Sequence, residues 1–147
     1  MEHMSSACLF CRIAAGETPA SVVYQDAQVV AFLDHRPLFP GHVLLVPRLH
    51  VVTLPDLPAD QLVPLFGTAQ ALARAVETGL GAGGSFVAVN NRISQSVLHL
   101  HVHVVPRSSK DGLRGFFWPR TRYASEEEME RTRAVLAEAL GRSREGR

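Results

Sequence analysis

The chain has 147 residues, 46% of them hydrophobic, which suits one ordinary globular domain with its own core. Charged residues make up 20% and the formal net charge is +1, so no global field draws the chain onto nucleic acid. No apolar run approaches the ~20 residues of a membrane span, and MEHMSSACLFC has neither the basic start nor the apolar core of a secretory signal, so a soluble cytoplasmic protein is expected.

Cys8 and Cys11 come first, as C-L-F-C. In an intracellular protein such a pair is redox-active or metal-binding rather than a structural disulfide. Nothing before Cys8 reads as a strand, which disfavours a thioredoxin-like motif and favours zinc. Two thiolates are half a site, so histidines must supply the rest.

Strand-like runs follow at Ser21–Tyr24, Val29–Leu33 and Val43–Val46, the first two joined by Gln25-Asp26-Ala27-Gln28 as a hairpin requires. Asp34 to His42 carries Pro37, Pro40 and Gly41 and reads as a turn-rich loop. On it, Asp34 suits either a sugar diol or a simple turn. His35 reads as a loop residue. His42 follows a glycine that permits close approach of a ligand to the backbone. His50, after the third strand, is the natural partner for the cysteines.

Residues 60–80 place apolar side chains at 62, 65, 66, 69, 72, 73 and 76, the stripe of a core-covering helix that Pro64 forces either to start near Asp60 or to kink. Ser85–Val89 reads as a strand, and the polar loop Asn90 to Ser96 leads from it into HLHVHVVPR, His99 to Arg107. In a strand, successive side chains face opposite ways, so His99, His101 and His103 share one exposed face, about 6.6 Å apart, while Leu100, Val102 and Val104 share the buried one. Packing does not call for such a row. It suits either metal-activated water or attack by one imidazole with its neighbours stabilising charge.

Arg107 to Arg122 holds five basic residues around Gly115-Phe116-Phe117-Trp118-Pro119, a binding-site lid, a dimer contact or a loop packing its aromatics on the core. Ser125-Glu126-Glu127-Glu128 fits a capping box opening an amphipathic helix that Gly141 should stop.

These residues carry a resemblance to the histidine triad family, whose motif is His-x-His-x-His followed by two apolar residues. Here it stands as His99-Leu100-His101-Val102-His103-Val104-Val105. CLFCRI, FLD ending at Asp34, PGHVLLVPRLH around His42 and His50, and QSVLHLHVHVVPR match in order, so the likeness spans about residues 8–107 of a single domain, with 108–147 as a C-terminal loop and helix. It is to the branch of nucleoside phosphoramidases and small bacterial triad hydrolases.

The resemblance implies an α+β fold, a five-stranded antiparallel sheet with a long central helix and a C-terminal helix, assembled as a homodimer. It implies a purine nucleotide hydrolase of phosphoramidate type acting through a nucleotidyl-histidine, with no organic cofactor. The alternatives are a dinucleoside polyphosphate hydrolase and a nucleotide-binding regulatory protein with little turnover. His101 becomes the nucleophile, His103 and His42 charge-stabilising neighbours, and Ser96 the residue at the leaving group. Asp34 takes the ribose and Phe10 and Ile13 the base. Gln95 and Asn90 lie nearby, with Asn91 as the alternative register. Cys8, Cys11, His50 and His99 become ligands of a structural zinc. Many relatives have a longer loop with a glycine where Ser94 stands in Arg92-Ile93-Ser94-Gln95.

Overall fold

Alternating apolar residues build a sheet whose two faces are both buried. The computed structural model describes residues 7–115 and 119–145, so His3 and Phe116-Phe117-Trp118, the aromatics read as a lid, a dimer contact or a packed loop, lie outside the described residues. The strands are β1 (Val22–Gln25), β2 (Val29–Leu33), β3 (Val43–Pro47), β4 (Gly84–Ala88) and β5 (Val102–Arg107), antiparallel throughout in the order β1-β2-β3-β5-β4. This is the expected α+β fold. Helix α1 (Leu9–Ala14) precedes the sheet, and α2 (Leu62–Leu80) lies between β3 and β4 in sequence.

Strand alternation assigns the faces. Val29, Ala31, Val43, Leu45, Val102 and Val104 pack with Leu65, Ala69, Leu72 and Val76 of α2. Val30, Phe32, Leu44 and Val46 pack with Phe10 and Ala14 of α1. Pro64 sits in the first turn of α2, where its missing N–H costs little, after a 3-10 turn at Ala59–Gln61. Gly81, left-handed at φ 71, ends the helix. None of the described helices is long and apolar enough to cross a membrane.

Three local expectations are corrected. The histidine strand is shorter than the alternation suggests: β5 begins at Val102, and His99 and His101 lie in the bent approach to it. The β3–β5 ladder runs only to Leu45↔Val102, and Pro47 further along β3 has no N–H to extend it. Gly41 faces Leu80 and Pro106. Its φ is +99, and a Cβ there would collide with the Leu80 side chain and crowd Pro106 at 3.1 Å, so the glycine serves close packing of the loop.

The chain forms two compact units, one ending at Asp111 and the other beginning at Gly112. In the second, helix α3 (Glu126–Glu145) opens with the Ser125 hydroxyl accepting from the Glu128 N–H at 3.0 Å. Gly141 does not stop it. One glycine costs a helix only ~1 kcal/mol, and the Arg142–Glu138 pair at 2.7 Å spans that turn.

Candidate active site and metal centre

β5 and the approach to it bring the triad histidines together with His99 and His101 buried and His103 half-buried, a set of fixed tautomers rather than an exposed row. His101 is only 4% exposed. Its Nδ1–H donates to the His99 carbonyl oxygen at 2.8 Å, which leaves Nε2 as the basic nitrogen. On β3's leading loop, His42 Nδ1 accepts the Leu38 N–H at 3.1 Å, so the His42 proton sits on Nε2 and is donated to His103 Nδ1 at 2.9 Å. His103 therefore presents Nε2–H. The His101 and His103 rings stand 4.9 Å apart, edge to face. Burial pushes the His103 pKa down to about 4, helped by the neighbouring His101 and His42, and burial also lowers that of His42. The pair is thus a neutral donor–acceptor relay at physiological pH. Asp34 Oδ1 accepts from the Arg36 N–H, and its Oδ2 lies 3.8 Å from His42 Nδ1.

A cleft of about 790 Å³ opens in front of these rings. Phe10, Ile13, Asp34, Ser96, His101 and His103 line it, whereas His42 stands behind His103. Phe10 packs edge-on against His101, Phe32 and His99, joining the apolar wall to the reactive row. The sequence reading did not single out Phe32, Leu44, Val97, His35 or the connection Thr18-Pro19-Ala20-Ser21, all of which also line the cleft. Alternation placed Phe32 and Leu44 on one face of the sheet, but only the docking of α1 makes that face a pocket wall.

The loop before the triad is arranged differently. Gln95 braces it from inside: its amide oxygen accepts the Arg92 N–H at 2.8 Å and its NH₂ donates to the Val52 carbonyl at 2.6 Å. Asn91 accepts the Leu54 N–H at 2.8 Å, and Asn90 is exposed. Neither Gln95 nor Asn90 lines the cleft. Arg92 and Ser94 have φ of 69 and 62, so Ser94 holds a left-handed conformation that glycine takes more readily.

Behind the row, Cys8, Cys11 and His50 converge on the His99 ring. The ligand atoms of Cys8, Cys11, His50 and His99 all lie within 4.8 Å of one another. Cys8 caps α1, its Sγ accepting the Cys11 N–H. His99 Nδ1 is 3.4 and 3.5 Å from the Cys8 and Cys11 sulfurs, His50 Nδ1 is 3.3 Å from Cys11 Sγ, and the two nitrogens are 3.1 Å apart. Ligands on a tetrahedral zinc, at about 2.0–2.3 Å, stand about 3.3–3.8 Å from one another, so the cluster has nearly the size such an ion requires. His99 Nε2–H donates to the Pro47 carbonyl at 2.8 Å, which turns a bare Nδ1 toward the sulfurs, as an outer partner does for a ligating histidine. Burial holds the His99 pKa down at about 4, so the ring is neutral, as a ligating imidazole must be. Asp34, His42 and His103 also cluster within 4.8 Å, but hydrogen bonding between the two histidines accounts for that approach.

Residues 15–110 match the HIT domain family. The chain belongs to the HIT family. A HIT-like protein of Mycobacterium tuberculosis is 36% identical over 138 residues, covering 90% of this chain and 92% of its own. The adenylylsulfatase HINT3 of Arabidopsis thaliana is 32% identical over 72% of this chain and 55% of its own. The adenosine 5′-monophosphoramidase HNT1 of Candida albicans is 30% identical over 78% and 79%. Among solved structures, a HIT family member from Bacillus subtilis superposes with a TM-score of 0.82 at 29% identity, covering 90% of this chain and 96% of its own. A zinc-bound histidine triad protein from Mycobacterium smegmatis gives 0.70 at 36% identity, with 92% and 96% covered. The HIT-type histidine cluster and its kinship with nucleotide hydrolases are therefore both in place.

Proposed function

We propose that this HIT protein hydrolyses a 5′-phosphoryl bond of purine mononucleotide conjugates, of phosphoramidate type, through a nucleotidyl-histidine on His101. The observation that carries this reading is the His101 tautomer, with Nδ1–H anchored on a carbonyl and Nε2 basic in a ring that lines the cleft beside His103. In the first step, the Nε2 lone pair forms a bond to phosphorus as the phosphorus–nitrogen bond breaks. The electron pair leaves with the amine, which takes a proton relayed from solvent by the Ser96 hydroxyl, and the water that attacks in the second step gives one back. The His99 carbonyl faces the Nδ1–H of the resulting cationic imidazole and stabilises its charge. His103 Nε2–H is the donor to a phosphoryl oxygen, and Ser96 serves the leaving group. Water then attacks phosphorus, releases the 5′-monophosphate and returns His101 to its starting tautomer. Asp34 takes the ribose hydroxyls, and Phe10 and Ile13 the base. The activities in the names of the Candida and Arabidopsis relatives support an adenylyl group carrying an exchangeable leaving group.

Zinc is the metal this reading assigns to Cys8, Cys11, His50 and His99, supported by the ligand spacing and the zinc-bound M. smegmatis relative. Four protein ligands leave no open position, so it is structural and orders α1. The homodimer belongs to the same reading. A bulge between Val22 and Tyr24 disrupts β1 at one sheet edge, which leaves β4 the better seam.

The test is a panel of adenosine 5′-phosphoramidate, adenosine 5′-phosphosulfate and diadenosine polyphosphates, with mass detection of the adduct after rapid acid quench. Adenylylation of the peptide holding His101, fastest with the phosphoramidate, supports the reading. Turnover of every substrate without an adduct, stopped at once by chelation, would replace it with metal-activated water.

A further inference from the structure

The exit of β3 grips α1 at both ends. His50 meets Cys11 near the start of the helix. Two residues earlier in the chain, Arg48 reaches the other end, where its Nη1 donates to the Ala14 carbonyl at 2.6 Å. The same guanidinium donates through Nε to the Asp26 carbonyl at 2.7 Å and through Nη2 to Gln25 Oε1 at 3.1 Å. One side chain therefore joins the last residue of α1 to the end of β1.

Between those two points runs the connection 15–21, whose residues Thr18, Pro19, Ala20 and Ser21 form one wall of the cleft. Its first half is tied back to α1, by backbone bonds and by Arg12 Nε–H donating to Thr18 Oγ1 at 3.4 Å, whereas its second half has fewer ties. Gly16, Glu17 and Thr18 donate back to Ile13 and Arg12, and the Ser21 carbonyl accepts from Leu33. Pro19 has no N–H to offer. The distance between the two elements that the arch connects is fixed by the group that holds Ala14 against Gln25 and Asp26. A guanidinium suits that task because its rigid fork serves several acceptors at once, whereas an ammonium is a single point.

We propose that Arg48 is a positioning residue for nucleoside recognition, holding the 15–21 arch in the shape that meets the base. The inference rests on reading the cleft as a nucleotide site. Arg48 does not line the cleft and bonds α1 and the β1 end, while the reacting histidines come from β5 and its approach. Its loss therefore falls on binding of the base-bearing part and spares bond breaking.

The experiment compares wild type, R48M and R48K in the full chain. Calorimetry gives affinities for AMP and for ribose 5-phosphate, which lacks the base, and steady-state kinetics uses adenosine 5′-phosphoramidate. R48M should weaken AMP about tenfold, the scale of one charge-assisted hydrogen bond, and leave ribose 5-phosphate within about twofold. KM should rise while kcat stays within about twofold. R48K, which keeps the charge and fewer donors, should fall between, and it carries the test should R48M not fold. Equal weakening of both ligands, an unchanged AMP affinity, or a fall in kcat at constant KM would overturn the role of Arg48. Wild type that binds AMP no better than ribose 5-phosphate would overturn the nucleotide reading and this inference with it. Wild type that prefers AMP, with R48M keeping that preference in full, would overturn the inference alone.

Discussion

The backbone carbonyl of His99 accepts the Nδ1–H of His101 at 2.8 Å, while the His99 ring donates to Pro47 and turns its other nitrogen to Cys8 and Cys11. A single residue thus faces two sites. Its ring belongs to the Cys/His cluster, and its main chain selects the reactive nitrogen of its neighbour. Whatever fixes the His99 ring also fixes the carbonyl that holds the His101 proton.

His101→Asn removes the basic nitrogen, so turnover of adenosine 5′-phosphoramidate should fall by about 10³-fold or more. Because His101 is 4% exposed and packs against Phe10, the variant should also lose stability, about 1–3 kcal/mol. A residue on an exposed strand face would lose little. Quenched-flow kinetics and thermal denaturation read the two effects. Retained turnover would remove His101 as nucleophile, and an unchanged Tm would contradict its packing.

The pH dependence follows from burial of the His103–His42 pair. His103 titrates at about 4 in the folded chain, while an unfolded histidine titrates near 6.5, and His42 is lowered in the same direction. Between about pH 6.5 and 4 the unfolded chain therefore binds more protons, and stability falls as pH drops through that window. Below about 4 the His103 contribution is flat. His103→Asn removes one of these groups, so its Tm should fall less steeply than that of wild type between pH 6.5 and 4. Parallel slopes would show that burial of His103 does not set this window.

The sheet and α2 were legible because period-2 and helical stripes record which face is buried, and Val29, Leu45, Leu65 and Val102 are indeed core residues. The histidine row was legible because packing gives no reason for three imidazoles at alternate positions. The start of β5 was not, since it depends on Pro47 in a different strand. The purpose of Gly41 was hidden too, because its neighbour is Leu80, at the far end of a helix. Gln95 looked like a substrate ligand because its polarity is visible in sequence, but its partners, Arg92 and Val52, are not. The 15–21 wall has no periodicity at all, and what shapes it shows in bonds to Arg12, Ile13 and Leu33 and in the bridge that Arg48 makes between its flanking elements.

Two left-handed positions should respond oppositely to substitution. Gly41→Ala forces a Cβ into Leu80 at φ +99, so it should cost about 2 kcal/mol or more and disturb the loop that carries His42. Ser94→Gly relieves a serine at φ 62 and should stabilise by up to about 1 kcal/mol. Thermal denaturation of both variants decides the matter. A tolerated alanine at 41, or a destabilising glycine at 94, would contradict these backbone assignments.

Metal removal is the most exposed prediction, because the ligand cluster and the cleft share a helix. Cys8 caps α1 and Cys11 lies within it, while Phe10 and Ile13 on the same helix line the cleft. Protein purified without metal-affinity resin should hold about one zinc per chain, and Cys11→Ala or His50→Ala should lose it. Since the site is assembled only in the folded chain, metal affinity contributes to folding, and both variants should have a markedly lower Tm. They should also bind AMP more weakly, because α1 then loses the tie at Cys11 and is held by the packing of Phe10 and Ala14 on the sheet and by Arg48 at Ala14. Elemental analysis, calorimetry and thermal denaturation on one preparation separate these effects. A metal-free wild type with an unchanged Tm, or a variant that loses the metal but neither stability nor AMP affinity, would show that the cluster orders nothing. Attack by His101 Nε2 would still be available in that case, because the main-chain carbonyl of His99 holds the Nδ1 proton without requiring a metal on the His99 ring.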